Sequence, residues 1–145
     1  MLTQSGQPFS VFTPYKNAWL RKVNNFYWRA YPVERYAAHL APRPPALRQP
    51  VPRLSDMDFE TTNLSELHIP CGETGAQSLL ADFLSRIDAY GQRRDFPAVK
   101  GPSYLSVHLR FGTVSVRQLA REAHARMQAG SEGAAVWLSE LIWRD

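Results

Sequence analysis

Apolar residues recur every three or four positions in several stretches of the chain, the spacing expected for one buried helix face. The clearest stretch runs from about Glu73 to Gly91 and would bury Ala76, Leu79, Leu80, Phe83, Ile87 and Tyr90. The same spacing predicts helices over about 14–30, 105–111 and 115–129, and another from Ala134 onward. The pattern therefore predicts a mainly α fold.

Two helix starts carry capping signals. Thr13-Pro14 places a hydroxyl before a proline, whose missing N–H costs nothing at the first helical position. The face of that helix predicted to be apolar consists of Trp19, Val23, Phe26 and Ala30. Ser115 is the second predicted cap, and its helix should turn inward Val116, Leu119, Ala120, Ala123 and Met127.

Between these regions, order declines from Tyr31 to about Pro70. The run 41–53 contains five prolines and no acidic residue. Proline lacks the backbone donor that helices and central strands need, so we interpret this segment as a polyproline-like linker. A ligand for an SH3-type domain is the alternative interpretation of the same residues.

Composition narrows the function classes only slightly. The formal net charge of +4 suits a polyanionic partner, although an ordinary basic surface is the simpler explanation of the charge alone. A single cysteine, Cys71, excludes an internal disulfide and a multi-cysteine metal cluster. We find no nucleotide-binding glycine fingerprint, no metal-ligand spacing, no signal peptide and no apolar run that could cross a bilayer. We therefore expect a soluble, cytoplasmic protein without a metal.

Three stretches could bind a ligand, and each has a plainer structural explanation. Gly101–Ser106 places backbone N–H donors and serine hydroxyls directly before a helix. These groups could bind a phosphate, or they could simply cap the helix. Trp137, Leu141 and Arg144 share one face of the last helix, flanked by Glu140 and Trp143. That set could stack and hydrogen-bond a flat aromatic molecule, or Glu140 could pair with Arg144 on a core helix. Arg93-Arg94 could meet a phosphate backbone or end a solvated helix.

Several segments together resemble the photolyase/cryptochrome family, in the same order and at similar spacing. They are Val11-Phe-Thr-Pro-Tyr-Lys-Asn-Ala-Trp19, Gly72-Glu73 with Ala76, Tyr90 with Arg-Asp-Phe-Pro-Ala-Val99, Leu105-Ser with His-Leu-Arg-Phe-Gly112, and Trp137-Leu-x-Glu-Leu-Ile-Trp-Arg144. The pattern is most similar to class I cyclobutane pyrimidine dimer photolyases. The resemblance covers most of the chain outside 31–69.

The resemblance implies a domain assignment. Residues 1–30 would be the tail of an α/β antenna domain with one helix, and 31–69 a proline-rich interdomain linker. Residues 70–145 would be the opening helices of the all-helical domain that binds FAD and DNA. Because the helical pattern continues to Asp145, we expect a fragment of a longer protein, inactive alone, whose full form also carries a folate- or deazaflavin-type antenna chromophore.

The family pattern also implies roles for single residues. FAD would be contacted by Tyr90, Ser103, Leu105, Ser106, Trp137 and Arg144. Glu140 and Trp143 would hold a flipped-out pyrimidine dimer, and Arg94 would contact the DNA backbone. Pro102 stands where the family commonly has threonine, which removes one hydroxyl from the phosphate loop.

The function implied is light-driven repair of pyrimidine dimers in UV-damaged DNA by electron transfer from reduced FAD. A cryptochrome-like photoreceptor without repair activity is the alternative, and an inactive remnant is a third. Glu140 beside Trp143 favours repair, because a signalling protein has no need of a dimer clamp. We expect a monomer, with no protein partner evident from the sequence and no membrane association.

Overall fold

The computed structural model describes residues 1–60 and 63–144, without the side chains of Leu64 and Ser65. Over these residues all regular secondary structure is helical, apart from an isolated bridge between Leu2 and Pro8. The predicted mainly α fold is thus confirmed. The last helix, predicted to continue to Asp145, ends at Ile142 with Trp143 as its C-cap, and at this end of the chain only Asp145 lies outside the described residues.

Seven α-helices form within the described residues. They are α1 (Phe12–Lys22), α2 (Asn25–Trp28), α3 (Gly72–Leu84), α4 (Tyr90–Arg93), α5 (Ser106–Phe111), α6 (Val116–Gln128) and α7 (Glu132–Ile142). In these ranges no helix is long and apolar enough to cross a lipid bilayer.

The chain divides into two compact units, residues 1–30 with 70–145 and residues 31–69. In the second unit every side chain that the structure describes is exposed. Its regular structure consists of short 3₁₀-helices over Val33–His39, Pro45–Leu47, Leu54–Met57 and Asn63–Leu67. Such short turns fit a proline-rich segment, because they need few backbone donors. The assignment of 1–30, 31–69 and 70–145 to photolyase domains stays a prediction.

The first helix differs from its prediction at both ends. It begins at Phe12 with Val11 as its N-cap, so Thr13 and Pro14 lie inside the first turn. It ends at Lys22, because the Asn24 side chain accepts a hydrogen bond from the Phe26 N–H and starts α2. Phe26 is consequently 67% exposed, and its prediction as an inward residue is wrong.

The core of the first unit lies between α3, α6 and α7. Its buried side chains are Ala76, Leu80, Phe83, Ile87, Leu105, Val114, Leu119, Ala120, Ala123, Ala134, Trp137, Leu138, Leu141 and Ile142. Helix α6 packs mainly on α7, which also contacts α1 and α4. Val116 is exposed, contrary to its prediction, because it is the first residue of α6 and lies at the edge of this packing.

The predicted helix over 73–91 is interrupted. Helix α3 ends at Leu84, a 3₁₀ turn covers Ile87–Ala89, and α4 follows directly. The break lets the backbone of this turn meet α7: a Cβ on Gly133 would clash with the Ile87 carbonyl oxygen. Two backbones approach this closely only where one of them carries no side chain.

We expect Gly133→Ala to destabilise the protein by about 2 kcal/mol, because the added methyl group must push α7 away from the Ile87–Ala89 turn. The measurement is the free energy of unfolding in urea. Gly91→Ala is the matched control: its Cβ would stand 3.4 Å from the Val136 Cγ2, an ordinary contact, and alanine favours helix. Equal effects of the two substitutions would contradict the close-packing argument.

Candidate functional site

An ion pair joins the end of α4 to the last turns of α7. The Arg94 guanidinium donates from Nη1 to the Glu140 carboxylate, and its Nε lies 3.5 Å from the Asp95 carboxylate. The hydrogen bond to Glu140 raises the pKa of Arg94 above its usual range, so the guanidinium stays charged. Glu140 therefore pairs with Arg94, which follows a different helix, and the structure shows no pairing with Arg144.

Two of the predicted cofactor residues, Tyr90 and Trp137, lie against Phe83. The Tyr90 ring meets Phe83 edge-on at 5.6 Å between centroids, and the Trp137 ring lies 4.7 Å from it. Burial raises the pKa of the Tyr90 phenol, while Arg94, whose guanidinium lies 5.8 Å from the ring centroid, acts in the opposite direction. Tyr90 is half-buried and Trp137 buried, so Tyr90 presents the more accessible surface.

Trp143 stands at the C-terminal end of α7 and is 63% exposed. Its indole is stacked on the Phe12 ring of α1, with 3.8 Å between centroids and planes 10° from parallel. One face of the indole is thus already covered by an aromatic ring of the same chain. Because Glu140 and Trp143 are three residues apart and Trp143 keeps helical backbone angles, both side chains lie on neighbouring parts of one helix face.

The loop from Gly101 to Leu105 precedes α5. Ser103 is half-buried, and its Oγ accepts a 3.4 Å hydrogen bond from the Leu105 N–H. Leu105 is buried in the core, whereas the Ser106 side chain is exposed. Tyr104 takes a left-handed backbone conformation with φ +57°, which a bulky residue rarely adopts unless its surroundings impose it.

Arg144 lies away from this group, on the wall of a cavity of about 730 Å³. Its neighbours there include Trp19, Tyr27, Trp28 and Ser115, and none of the other predicted site residues lines this cavity. The structure therefore brings Tyr90, Arg94, Glu140 and Trp137 together through shared neighbours and separates Arg144 from them. Over the described ranges, no three His, Cys, Asp or Glu side chains gather into a metal-binding cluster.

The Asp82 carboxylate on α3 forms ion pairs with two cations, Arg86 and Lys100. Asp82 Oδ1 lies 2.8 Å from Lys100 Nζ, and Asp82 Oδ2 lies 3.2 Å from Arg86 Nη2. The hydrogen bond from Lys100, assisted by Arg86 and opposed by desolvation, lowers the pKa of Asp82 below its ordinary value of 3.8. The network ties α3 to the start of the loop.

Sequence reasoning did not single out Phe12, Asp82, Arg86 or Lys100. The Asp82–Arg86 pair has the i,i+4 spacing of a helical ion pair, and that spacing was a usable signal. Phe12 had no comparable signal, because its partner Trp143 is far away in the sequence and only packing brings the rings together.

Comparison with known proteins gives matches along the whole chain. The chain is 36% identical over 150 residues to the deoxyribodipyrimidine photo-lyase of Escherichia coli, covering 100% of this chain and 30% of that protein. The photo-lyase of Vibrio cholerae is 36% identical over 155 residues, with 99% of this chain and 30% of that protein covered. An uncharacterized 31.6 kDa protein of Synechococcus is 31% identical over 157 residues, 50% of its length.

These matches show that the chain is similar along its whole length to one part of the photolyases. The relatives are mostly proteins named deoxyribodipyrimidine photo-lyase, and the chain spans about 30% of the length of the first of them. The predicted resemblance is therefore confirmed. No protein-family model and no solved structure matches the chain. The roles of the individual site residues stay predictions.

We expect Phe12→Ala to uncover the stacked face of Trp143. Acrylamide should then quench the Trp143 fluorescence more strongly, and the lost aromatic pair should cost about 1 kcal/mol of stability. Difference spectra against the same protein with Trp143→Phe isolate this signal among the four tryptophans. Phe26→Ala, which removes an exposed ring in contact with Tyr27, is the control and should leave the Trp143 signal unchanged.

Asp82 should make the free energy of unfolding depend on pH in the acidic range. Because its folded pKa is lowered, the ionised carboxylate contributes stability above the unfolded pKa, and this contribution disappears as pH falls through the folded pKa. The free energy of unfolding should thus differ between the wild type and Asp82→Asn at neutral pH, with the difference shrinking below about pH 4. Urea titrations across this range measure it. A difference that stays constant from neutral to acidic pH would refute the role of Asp82.

Proposed function

We propose that the protein carrying this sequence repairs cyclobutane pyrimidine dimers in UV-damaged DNA, driven by light, with FAD as its cofactor. The observation that carries the proposal is the placement of the Glu140 carboxylate, paired with Arg94, next to the exposed indole of Trp143. The similarity to proteins named deoxyribodipyrimidine photo-lyase supports it. Since the chain spans about 30% of their length, the activity is proposed for a protein of their full length.

The chemistry of the pair suits a damaged base. A lesion inside duplex DNA must leave the stack before an enzyme can act on it, and it is then held by stacking and by hydrogen bonds to its edge. Trp143 offers a flat apolar surface, and Glu140 offers an acceptor for an N–H of the base. Arg94 orients that carboxylate through its hydrogen bond, and its positive charge would attract a DNA phosphate.

The residues around the Gly101–Leu105 loop fit the phosphates of FAD. The backbone N–H groups of Ser103 and Tyr104 form no hydrogen bond with any described residue, and the same short segment carries the hydroxyls of Ser103 and Ser106. Tyr90 and Trp137 would border the flavin side of the same cofactor, and Leu105 would pack beneath it. Arg144 would reach FAD only if its side chain left the separate cavity that it lines.

When bound and reduced, FAD supplies under illumination the electron that opens the cyclobutane ring. This chain's own residues have other tasks: Glu140 and Trp143 orient the dimer, Arg94 holds the carboxylate, and the loop seats the phosphates. The antenna chromophore would bind outside this chain. The 145-residue chain by itself should neither retain FAD nor repair DNA, and stoichiometric flavin on the purified chain would overturn that expectation.

A photoreceptor of the cryptochrome kind is the second candidate, and the Phe12–Trp143 stack favours it. A ring that already covers the indole must move before a base can stack there. A signalling protein has no such requirement, because it needs the flavin alone.

A chimera separates the two functions. In it, residues 1–145 replace the aligned segment of the Escherichia coli photo-lyase, and light-dependent repair of a thymine-dimer oligonucleotide is measured with reduced flavin. We expect repair, and we expect Glu140→Ala with Trp143→Ala to weaken binding of the damaged strand about 100-fold, because a stack and an edge hydrogen bond are lost.

Glu132→Ala, at the opposite end of α7, is the matched control and should retain repair. A chimera that holds flavin and leaves the dimer intact would support the photoreceptor function instead. A chimera without flavin would count against both, since each needs the cofactor.

A further inference from the structure

Arg86 makes an unusual set of contacts with the loop before α5. Its Nη1 donates to the carbonyl oxygens of Lys100 and Gly101, at 2.8 Å each, and its Nη2 donates to that of Pro102, also at 2.8 Å. Nε and Nη2 also contact Asp82 Oδ2, at 3.3 and 3.2 Å. One guanidinium thus joins three consecutive carbonyl groups to helix α3, and its side chain is only 14% exposed.

These contacts decide which way the loop's peptide groups face. Every peptide bond among the described residues is trans, so the N–H of each group points away from its C=O. The carbonyl of Pro102 turns toward Arg86, and the N–H of Ser103 in the same peptide therefore turns to the opposite side. The Ser103 N–H, which donates to no described residue, is therefore presented on the side of the loop away from Arg86.

Two neighbouring features keep the loop from choosing another path. A Cβ on Gly101 would clash with the Arg93 carbonyl oxygen, so the loop lies directly on the end of α4. The Gly101 N–H also donates to the Val99 carbonyl oxygen at 2.7 Å. The left-handed φ of Tyr104 is then imposed from both sides, by the anchored Gly101–Pro102 segment and by the buried Leu105.

We infer that Arg86 is a positioning residue for phosphate binding: it holds the Lys100–Pro102 carbonyls so that the Ser103 amide faces an anion. This inference rests on the proposed function, in which the loop seats the phosphates of FAD. Arginine suits the task better than lysine, because its five donors in a planar fork serve the three carbonyls and Asp82 together, whereas an ammonium group has only three donors on one atom. Arg86 itself touches no phosphate, since its donors face the carbonyls and Asp82.

The test compares Arg86→Gln and Arg86→Lys with Arg110→Gln, which removes the same charge from an exposed position on α5. Amide hydrogen exchange is first measured over residues 101–105 in the chain without ligand. Arg86→Gln should speed exchange about tenfold at Gly101 and Leu105, whose N–H groups donate to the Val99 carbonyl oxygen and the Ser103 Oγ, because the bonds that fix the loop are lost. Arg86→Lys should lie in between, and Arg110→Gln should match the wild type.

Pyrophosphate is then titrated while the backbone amide resonances of Ser103 and Tyr104 are followed by NMR. Arg86→Gln should bind it at least about tenfold more weakly than Arg110→Gln, with an unchanged helical circular dichroism signal. A purely structural role would lower helicity and stability without this selective loss. Asp82→Asn removes the ion pair but leaves Arg86 bound to the three carbonyls, so it should retain most of the pyrophosphate binding. This variant therefore separates loss of the carbonyl contacts from general destabilisation of the loop.

The two proposals fail in different ways. Equal exchange rates at Gly101 and Leu105 in the wild type and Arg86→Gln would overturn the positioning role of Arg86. An ordered wild-type loop that binds no pyrophosphate would instead remove the phosphate-seat part of the proposed function, and with it the purpose inferred for Arg86. Equal loss of pyrophosphate binding in Arg86→Gln and Arg110→Gln would reduce the effect to net charge and also overturn the inference.

Discussion

The contact between α7 and the Ile87–Ala89 turn determines where the candidate site residues lie. Gly133 lets the two backbones touch, and the buried side chains of α7 then pack against α6 and α3. Once α7 is seated in this way, Trp137 must meet Phe83 and Glu140 must face the end of α4. A displacement of α7 would therefore separate the Glu140 carboxylate from Arg94 and the Trp137 indole from Phe83 at the same time.

Two arginines organise the surface that results, and they do so differently. Arg94 acts through charge: it neutralises and orients the single carboxylate of Glu140. Arg86 acts through geometry, because its fork satisfies three backbone carbonyls that would otherwise face water in no fixed direction. Such a connection orders a loop that has no regular structure of its own, and it leaves the loop's amides available to a ligand.

The stack of Phe12 on Trp143 shows that the first 30 residues take part in the site as well as in the core. They belong to the same compact unit as residues 70–145, and α1 contacts α7 directly. An exposed indole with one covered face is less costly to keep in water than a bare one, since part of its apolar surface is buried. The ring that provides this cover also competes with any base that stacks on the same face.

Helical periodicity is local, and for that reason the sequence by itself determined the mainly α fold, most of the buried residues of α3 and α6, and the proline-rich segment. The residues of the photolyase pattern predicted the similarity to photolyases that the comparisons confirm. Local competition explains the errors at helix ends: the Asn24 side chain captures the Phe26 amide and ends α1 early, which exposes Phe26.

Tertiary structure alone decided the partners of the site residues. Arg94 and Glu140 are 46 positions apart, and Phe12 and Trp143 lie on the first and last helices. Arg86 finds its carbonyls only because Gly101 rests on the end of α4. Contacts of this kind depend on how the helices pack and on where two backbones can approach each other. Neither can be predicted from the spacing of residues along the chain.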